Sequence, residues 1–333
     1  MNPFLCSEAS SPTIAIVGAG LAGLSCAQAL QAAGHSVVLF EKSRGPAGRM
    51  STRRADDWQC DFGAQYFVAR DPAFCAEVER WTKAGVAQPW QPRLGSFDGR
   101  VWTPSRTALV RHVGVPSMTA PAHWLAQGLQ VHSRLTVQTI EPSEGGWTLH
   151  CAETGAPKAL FGTVVLALPA PQAAVLLGAH APGLSGVTAR AGMRACWALM
   201  LRFDAPLPWD FDAAFVNQGP LSWIARDTSK PGRPRGETWV LHATADWSHD
   251  HLEDDPADVA SALLKAFADL GAPTPAAWTA HRWRYATNAP ALTEGCAWDS
   301  ATRLGLCGDW LHGGKVEGAW LSGQALAQRV VQG

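Results

Sequence analysis

The sequence predicts an α/β fold in which a parallel sheet is interrupted by an inserted domain of mixed sheet, and three observations predict it. A strand, a glycine loop, a helix and a second strand follow one another within residues 13–41. The same style, a short apolar strand and then an alanine-rich helix, returns at residues 302–331. Between them, residues 171–297 read as irregular strands rich in Trp, Pro and Arg.

Thr13 to Val17 (TIAIV) is apolar and β-branched and stops at a glycine, as a strand covered on both faces does. Leu21 to Ala33 carries Ala and Leu at helical spacing and ends at Gly34. Ser36 to Phe40 (SVVLF) reads as a second buried strand closing on Glu41, which completes a βαβ unit. Ser117 is expected to cap a helix running to Leu129. The runs LTVQTI, WTLHC and TVVLAL in residues 131–168, separated by turns such as 142–146, predict an antiparallel meander that returns to the parallel sheet. Residues 258–270 read as a helix, 302–307 as a strand and 318–331 as a helix. The expected organisation is one discontinuous domain of residues 11–70, 117–170 and 298–333, with a substrate-side domain of 71–116 and 171–297.

A chain of 333 residues with 47% hydrophobic content can bury one large core or two modest ones. A net charge of −1 without a basic block removes the electrostatic case for nucleic acid or an anionic membrane surface, so neither is expected as a partner. No stretch approaches the roughly 18 apolar residues of a membrane span, and the first residues lack a signal-peptide pattern; a cytoplasmic protein is expected. Eight cysteines without a C-x-x-C pair predict reduced, mostly buried thiols rather than a zinc or dithiol centre. The segment WSHDHLEDDP, with His249, His251, Glu253, Asp254 and Asp255, reads as an acidic loop before a helix, and no metal is expected.

The loop Gly18-Ala19-Gly20-Leu21-Ala22-Gly23 carries the first chemistry. Gly18 allows the sharp exit from the strand, Gly20 lets backbone N–H groups approach a pyrophosphate, and Gly23 lets the helix pack closely on the sheet. Glu41 stands 18 residues after Gly23, at the end of the second strand, where a carboxylate accepts hydrogen bonds from an adenosine ribose. NAD and FAD both present that ADP group.

The run EKSRGPAGRM (Glu41 to Met50) resembles the second fingerprint of the amine oxidase superfamily of FAD proteins, E-x-R-x-x-x-G-G-R, with Ser43 in place of the first arginine and Ala47 in place of the first glycine of the pair. Asp61-Phe62-Gly63-Ala64-Gln65-Tyr66 resembles the D-x-G-G-x-Y segment beside the isoalloxazine. Gly308-Asp309 resembles the segment whose acid holds the ribityl chain or a phosphate, and Gly314-Lys315-Val316-Glu317-Gly318-Ala319 resembles the G-Y-M-E-G-A box. The resemblance implies a Rossmann-like FAD-binding domain of the p-hydroxybenzoate hydroxylase/amine oxidase type and non-covalent FAD. It adds Lys42, Gly48, Arg49, Met50 and Val137 to the cofactor-binding set. Cys296 or Cys307 could in principle attach the flavin, but no motif demands it.

Lys315 occupies the position where amine oxidases place an aromatic of the amine cage, and a cation there repels a cationic amine. No lysine lies between Lys265 and Lys315 to match the lysine that the superfamily often sets near flavin N5. From Ile14 onward the chain resembles the bacterial renalase-like branch, on EKSRGPAGRMSTRR, DFGAQYF, WIARDTSKPGR, HRWRYA and GLCGDWLHGGKVEGAWLSG. The resemblance implies an oxidase of the 2- and 6-dihydro isomers of NAD(P)H that passes electrons to O2. It places Tyr66 and Trp283 as walls and His242 and Asp227 as polar contacts. Trp283 and His242 fit a core role as well, and Asp227 a turn cap. Arg226, Lys230, Arg233 and Arg235 read first as a solvated loop and second as a pyrophosphate contact. An amine oxidase or desaturase with an unusual cage, and a non-catalytic flavin-binding regulatory protein, stand as the alternatives.

Overall fold

The computed structural model describes residues 13–333 except 56–57, 106 and 156–158, which leaves Cys6 outside the described residues. The chain opens with β1 (Ile14–Val17), α1 (Leu21–Ala32) and β2 (Val37–Glu41), then the hairpin β3 (Thr52–Ala55) and β4 (Trp58–Asp61). Next come α2 (Pro72–Lys83) and the short strands β5 (Ala87–Trp90), β6 (Leu94–Phe97), β7 (Trp102–Pro104) and β8 (Arg111–Gly114). After α3 (Ala120–Leu125) and β9 (Gln130–Ser133) follow β10 (Val137–Ser143), β11 (Gly146–Cys151), β12 (Leu160–Phe161), β13 (Thr163–Leu166), α4 (Ala170–Leu177) and α5 (Pro182–Ala189). The remainder is β14 (Met193–Phe203), β15 (Ala213–Val216), β16 (Leu221–Arg226), β17 (Glu237–Ala243), α6 (Ala245–Asp250), α7 (Pro256–Asp269), β18 (Ala277–Asn288), β19 (Ala297–Asp299), β20 (Leu304–Leu306) and α8 (Lys315–Gln332).

Two sheets organise the molecule. The first has the order β19-β20-β13-β1-β2-β9, parallel except for β19, and β1 at its centre is wholly buried. Continuous apolar strands are what a sheet covered on both faces requires. Both α1 and α8 follow parallel strands of this sheet, so their N-termini stand at its carboxyl edge, where ligands of open α/β sheets bind. The meander β10-β11-β12 is antiparallel, as expected from sequence.

The second sheet, β18-β14-β17-β16-β15-β6-β7, is seven-stranded. Alternation along β14 assigns its faces: Trp197, Leu199 and Leu201 pack with Val259, Leu263 and Phe267 of α7, while Ala198 and Met200 join the core shared with α1 and α8. The seven-stranded sheet is thus sandwiched between α7 and the core it shares with α1 and α8.

Two expectations are corrected. The helix expected from Ser117 to Leu129 is only Ala120–Leu125, without a side-chain cap; Ser117 is buried and bonds Thr119 and Arg54 instead. Residues 171–191, expected on the substrate side, form α4 and α5, whose Leu176, Leu177 and Leu184 pack in the same core as Val164, Leu304 and Leu306 of the parallel sheet. Apolar helices without strand partners are recruited by the larger apolar face next to them.

Candidate active site

The carboxyl edge of the parallel sheet is built by close backbone approach. A Cβ at Gly23 would stand 2.1 Å from the Gly18 carbonyl oxygen, and one at Gly18, which has φ +103°, would stand 2.6 Å from the Ala167 carbonyl oxygen. Neither position admits a larger residue. At Gly20, by contrast, a Cβ would meet nothing within 4 Å, so the start of α1 is an open cradle. Gly20 and Gly314 precede α1 and α8, and in neither helix does a side chain cap the first-turn N–H groups. Two uncapped N-termini with their dipoles at one edge suit an anionic cofactor.

Glu41 is buried at the end of β2, where its carboxylate accepts from the Ala19 N–H at 2.9 Å and the Ser43 N–H at 2.8 Å. That holds the carboxylate beside the glycine loop with lone pairs to spare. The segment 47–50 packs on the same loop: the Ala47 N–H donates to the Ala19 carbonyl at 3.1 Å, and a Cβ at Gly48 would lie 3.3 Å from the Gly20 Cα. Ala47 adopts φ +127°, a region that favours glycine, at the position where the fingerprint has one. Arg49 forms a bidentate ion pair with Asp309, its second bond 3.0 Å long, and also donates to the Ala286 carbonyl at 3.2 Å. Arg49 thereby ties the beginning of the chain to its end and to β18.

Of the other expected cofactor residues, Lys42 and Lys315 are exposed, Met50 is in the core, and Val137 is half-buried at the start of β10. The Glu317 carboxylate accepts from the N–H groups of Arg70 and Asp71 at 2.6 and 2.8 Å, so it anchors α8 to the start of α2 rather than facing the edge. Gly318 is required by packing, since a Cβ there would lie 2.0 Å from the His312 carbonyl oxygen.

The segment 61–66 crosses from this edge to the seven-stranded sheet. A Cβ at Gly63 would lie 2.0 Å from the Arg49 carbonyl oxygen, and the Ala64 N–H donates to that oxygen at 2.9 Å. The Phe62 carbonyl receives the Trp283 indole N–H at 3.0 Å and contacts His242 Nε2 at 3.1 Å. Trp283 stacks on Phe62 with centroids 5.1 Å apart, and His281 meets Trp283 edge-on at 4.5 Å. Burial pushes the His242 imidazole down to about 4 despite its bond to Phe62, and burial with the Arg53 charge pushes His281 to about 4 as well. Both histidines are neutral at physiological pH.

Behind the segment lies a buried charge quartet. Lys230 Nζ donates to Asp227 at 2.7 Å, Asp61 at 3.2 Å and the Gln65 amide oxygen at 3.1 Å, while Arg233 donates to Asp61 at 2.5 Å. All four charged side chains are fully buried. Burial alone would raise the Asp61 carboxyl, but Lys230 and Arg233 outweigh it and hold it well below the usual carboxylate range. Asp227 is pushed up, by burial first and the Asp61 charge second. The solvated-loop reading of Lys230 and Arg233 is therefore overturned, and Asp227 is not at an open wall: it neutralises Lys230. The spacing of Asp227, Lys230 and Arg233, three residues apart each time, is the signal in the sequence, since it sets them on one side of a tight turn.

Residues 91–331 match the family model of flavin containing amine oxidoreductases, and residues 16–77 match that of an NAD(P)-binding Rossmann-like domain. The chain belongs to the flavin-containing amine oxidoreductase family. Its cofactor is FAD, and the open cradle at Gly20, the uncapped helix starts and Glu41 fit the group. An L-amino-acid oxidase of Sistrurus catenatus edwardsii is 41% identical over 59 residues, which span 18% of this chain and 11% of that protein. A 4,4'-diapophytoene desaturase of Staphylococcus haemolyticus is 43% identical over 58 residues, 17% of this chain and 12% of the desaturase. The chain thus matches only about a tenth of these relatives' length. Among solved structures, cyclohexylamine oxidase of Brevibacterium oxydans is similar with TM-score 0.75 at 14% identity, covering 96% of this chain and 99% of that one. Putrescine oxidase bound to putrescine has TM-score 0.73 at 13% identity, covering 97% and 99%. At such identities the likeness shows the fold.

In this family member the expected wall residue Tyr66 sits beside Trp223, with centroids 5.8 Å apart, and Trp90, at 6.4 Å. The guanidinium of Arg111 lies 5.2 Å over its ring. Sequence reading missed Arg111, His281, Trp90 and Trp223 because their chemistry comes from pairing: β8 lies against β5, with Arg111 opposite Trp90, and the Phe67 and His112 backbones bond each other at 2.8 and 2.9 Å. Among the described residues no helix is long and apolar enough to cross a membrane.

Proposed function

We propose that this flavin-containing oxidoreductase oxidises mis-reduced nicotinamide dinucleotides, the 2- and 6-dihydro isomers of NAD(P)H, to NAD(P)⁺. The observation that carries the reading is the character of the Phe62–His281–Trp283 cluster with His242 behind it: Trp283 lies stacked on Phe62, His281 meets both edge-on, and both histidines are neutral. Asp61, which precedes Phe62, and Asp227 are both fully buried and ion-paired with Lys230 and Arg233, so neither is presented as a counter-ion to a substrate ammonium. A dihydropyridine needs neither, because loss of hydride restores its aromaticity. FAD, when bound, accepts the hydride, and with a proton the two electrons reduce one O2 to H2O2. The chain's own residues do the positioning: Trp283 and His242 are fixed on the Phe62 carbonyl, and Lys230 orients the Gln65 amide, whose nitrogen donates to the carbonyls of Asp61 at 2.7 Å and Gly63 at 3.1 Å. The exposed Lys315, a cation at the position of the cage aromatic, supports the same reading.

Adding borohydride-reduced NAD, which contains the isomers, to the yellow protein under anaerobic conditions should bleach its visible band. An unchanged spectrum would remove the proposal. Family membership favours amine oxidation as the second reading, and peroxide release from an amine panel would promote it.

A further inference from the structure

Arg111 is 7% exposed, yet among the described residues no carboxylate lies within ion-pair reach of it. Among the described residues its side-chain hydrogen bonds go to neutral groups of the preceding loop, the Leu109 carbonyl at 3.2 Å and the Thr107 hydroxyl at 3.1 Å. Its Nε is buried without an acceptor. A buried cation with only neutral partners retains most of its desolvation cost, so among the described residues the fold carries a charge that nothing neutralises. This contrasts with Lys230 and Arg233, each of which has a carboxylate in contact. A second buried donor without an acceptor stands nearby: the indole N–H of Trp223. Both side chains touch the ring of Tyr66, the guanidinium carbon at 5.2 Å and the Trp223 ring at 5.8 Å. Two unsatisfied buried donors on one aromatic residue, one of them cationic, call for an anion supplied from outside the chain.

We propose that Arg111, with the Trp223 indole N–H, is the anchor for a phosphate group of the substrate at Tyr66. The proposal rests on the dinucleotide reading above, in which the substrate carries a pyrophosphate joined through a ribose to the reacting ring. A guanidinium fork matches phosphate oxygens, and the same cation repels a substrate ammonium, so Arg111 selects for dinucleotides and against amines. It contributes binding rather than chemistry, because the phosphate is unchanged by hydride loss.

The test uses the FAD-loaded full chain as wild type, Arg111→Met and Arg111→Lys. Anaerobic flavin reduction is followed with 6-dihydro-NAD and with the corresponding dihydronicotinamide riboside, which has no phosphate. Arg111→Met should raise the half-saturating concentration of the dinucleotide about 10- to 100-fold with the limiting rate within about threefold, and leave the riboside unaffected; Arg111→Lys should recover part of the loss. An equal effect on both substrates would overturn the proposal, since it would make Arg111 a packing residue. A second readout is independent of turnover: inorganic pyrophosphate should perturb the flavin spectrum of wild type and not of Arg111→Met. Equal pyrophosphate response in both proteins, or a response to benzoate and not to pyrophosphate, would overturn it too. If neither nicotinamide compound reduces the wild-type flavin while the pyrophosphate difference persists, the substrate reading fails and the phosphate site stands.

Discussion

The segment Asp61 to Tyr66 is held from two sides by different physics. On the nucleotide side it is held by shape: Gly63 lies against the Arg49 carbonyl with no room for a Cβ, and the glycine loop before it is fixed by equally close backbone contacts at Gly18 and Gly23. On the side of the seven-stranded sheet it is held by charge, through a buried quartet of Asp61, Asp227, Lys230 and Arg233 that reaches Gln65. Steric fixation demands particular small residues at fixed spacing and so leaves a motif. Electrostatic fixation demands only that charges balance, and the residues that balance come from distant parts of the chain.

Breaking the charged side should have the largest effect. Asp61→Asn leaves Lys230 and Arg233 with one carboxylate between them inside the protein, which costs about 3–5 kcal/mol of stability. Urea denaturation would check this, and a loss under about 1 kcal/mol would show that water reaches the quartet. Breaking the steric side should cost less stability and more cofactor. Gly23→Ala forces a Cβ to within 2.1 Å of the Gly18 carbonyl oxygen, an overpacking that costs about 1–3 kcal/mol and moves the loop off the pyrophosphate. Gel filtration followed by the visible spectrum should show colourless protein, and full FAD retention would contradict the role given to Gly23.

The neutral histidines sharpen the comparison through pH. His242 and His281 titrate near 4 when folded and near 6.5 when unfolded, so the unfolded chain binds protons first. Their contribution is complete above about pH 6.5 and is lost as pH falls toward 4, where it levels off. The urea midpoint at constant salt should decline over that window, and His242→Gln should flatten the decline; a midpoint that rises on acidification would contradict the assignment. The smallest effect is a gain. Ala47→Gly relieves an alanine held at φ +127°, worth about 1 kcal/mol, and thermal unfolding of the holoprotein should shift upward by a few degrees or less.

The glycine-loop side was legible because its residues are consecutive or recur at fixed spacing: Gly18 to Gly23, Glu41, the 47–49 turn and Asp309 meet at one sheet edge. Tyr66 and Trp283 were legible as aromatics by resemblance, and the structure shows their partners. Lys230 and Arg233 read as loop cations because a Pro- and Gly-containing stretch with four basic residues resembles a solvated turn; beside the local Asp227, the carboxylate both cations share is Asp61 of β4, 169 and 172 residues away in the chain. Arg111 had no local signal at all, since its environment is made by β5, β16 and Tyr66. The inserted sheet was read as irregular because its strands range from 3 to 12 residues and carry register shifts near Arg194 in β14 and Leu221 in β16.

The Phe62–His281–Trp283 cluster is proposed to serve a dihydronicotinamide and not an amine. Anaerobic stopped-flow mixing of the holoprotein with 2- and 6-dihydro-NAD in parallel with a panel of primary and secondary amines tests it most directly. Rapid bleaching of the flavin band by at least one isomer, with no amine acting at millimolar concentration, is the expected result; bleaching by an amine and by neither isomer would contradict it.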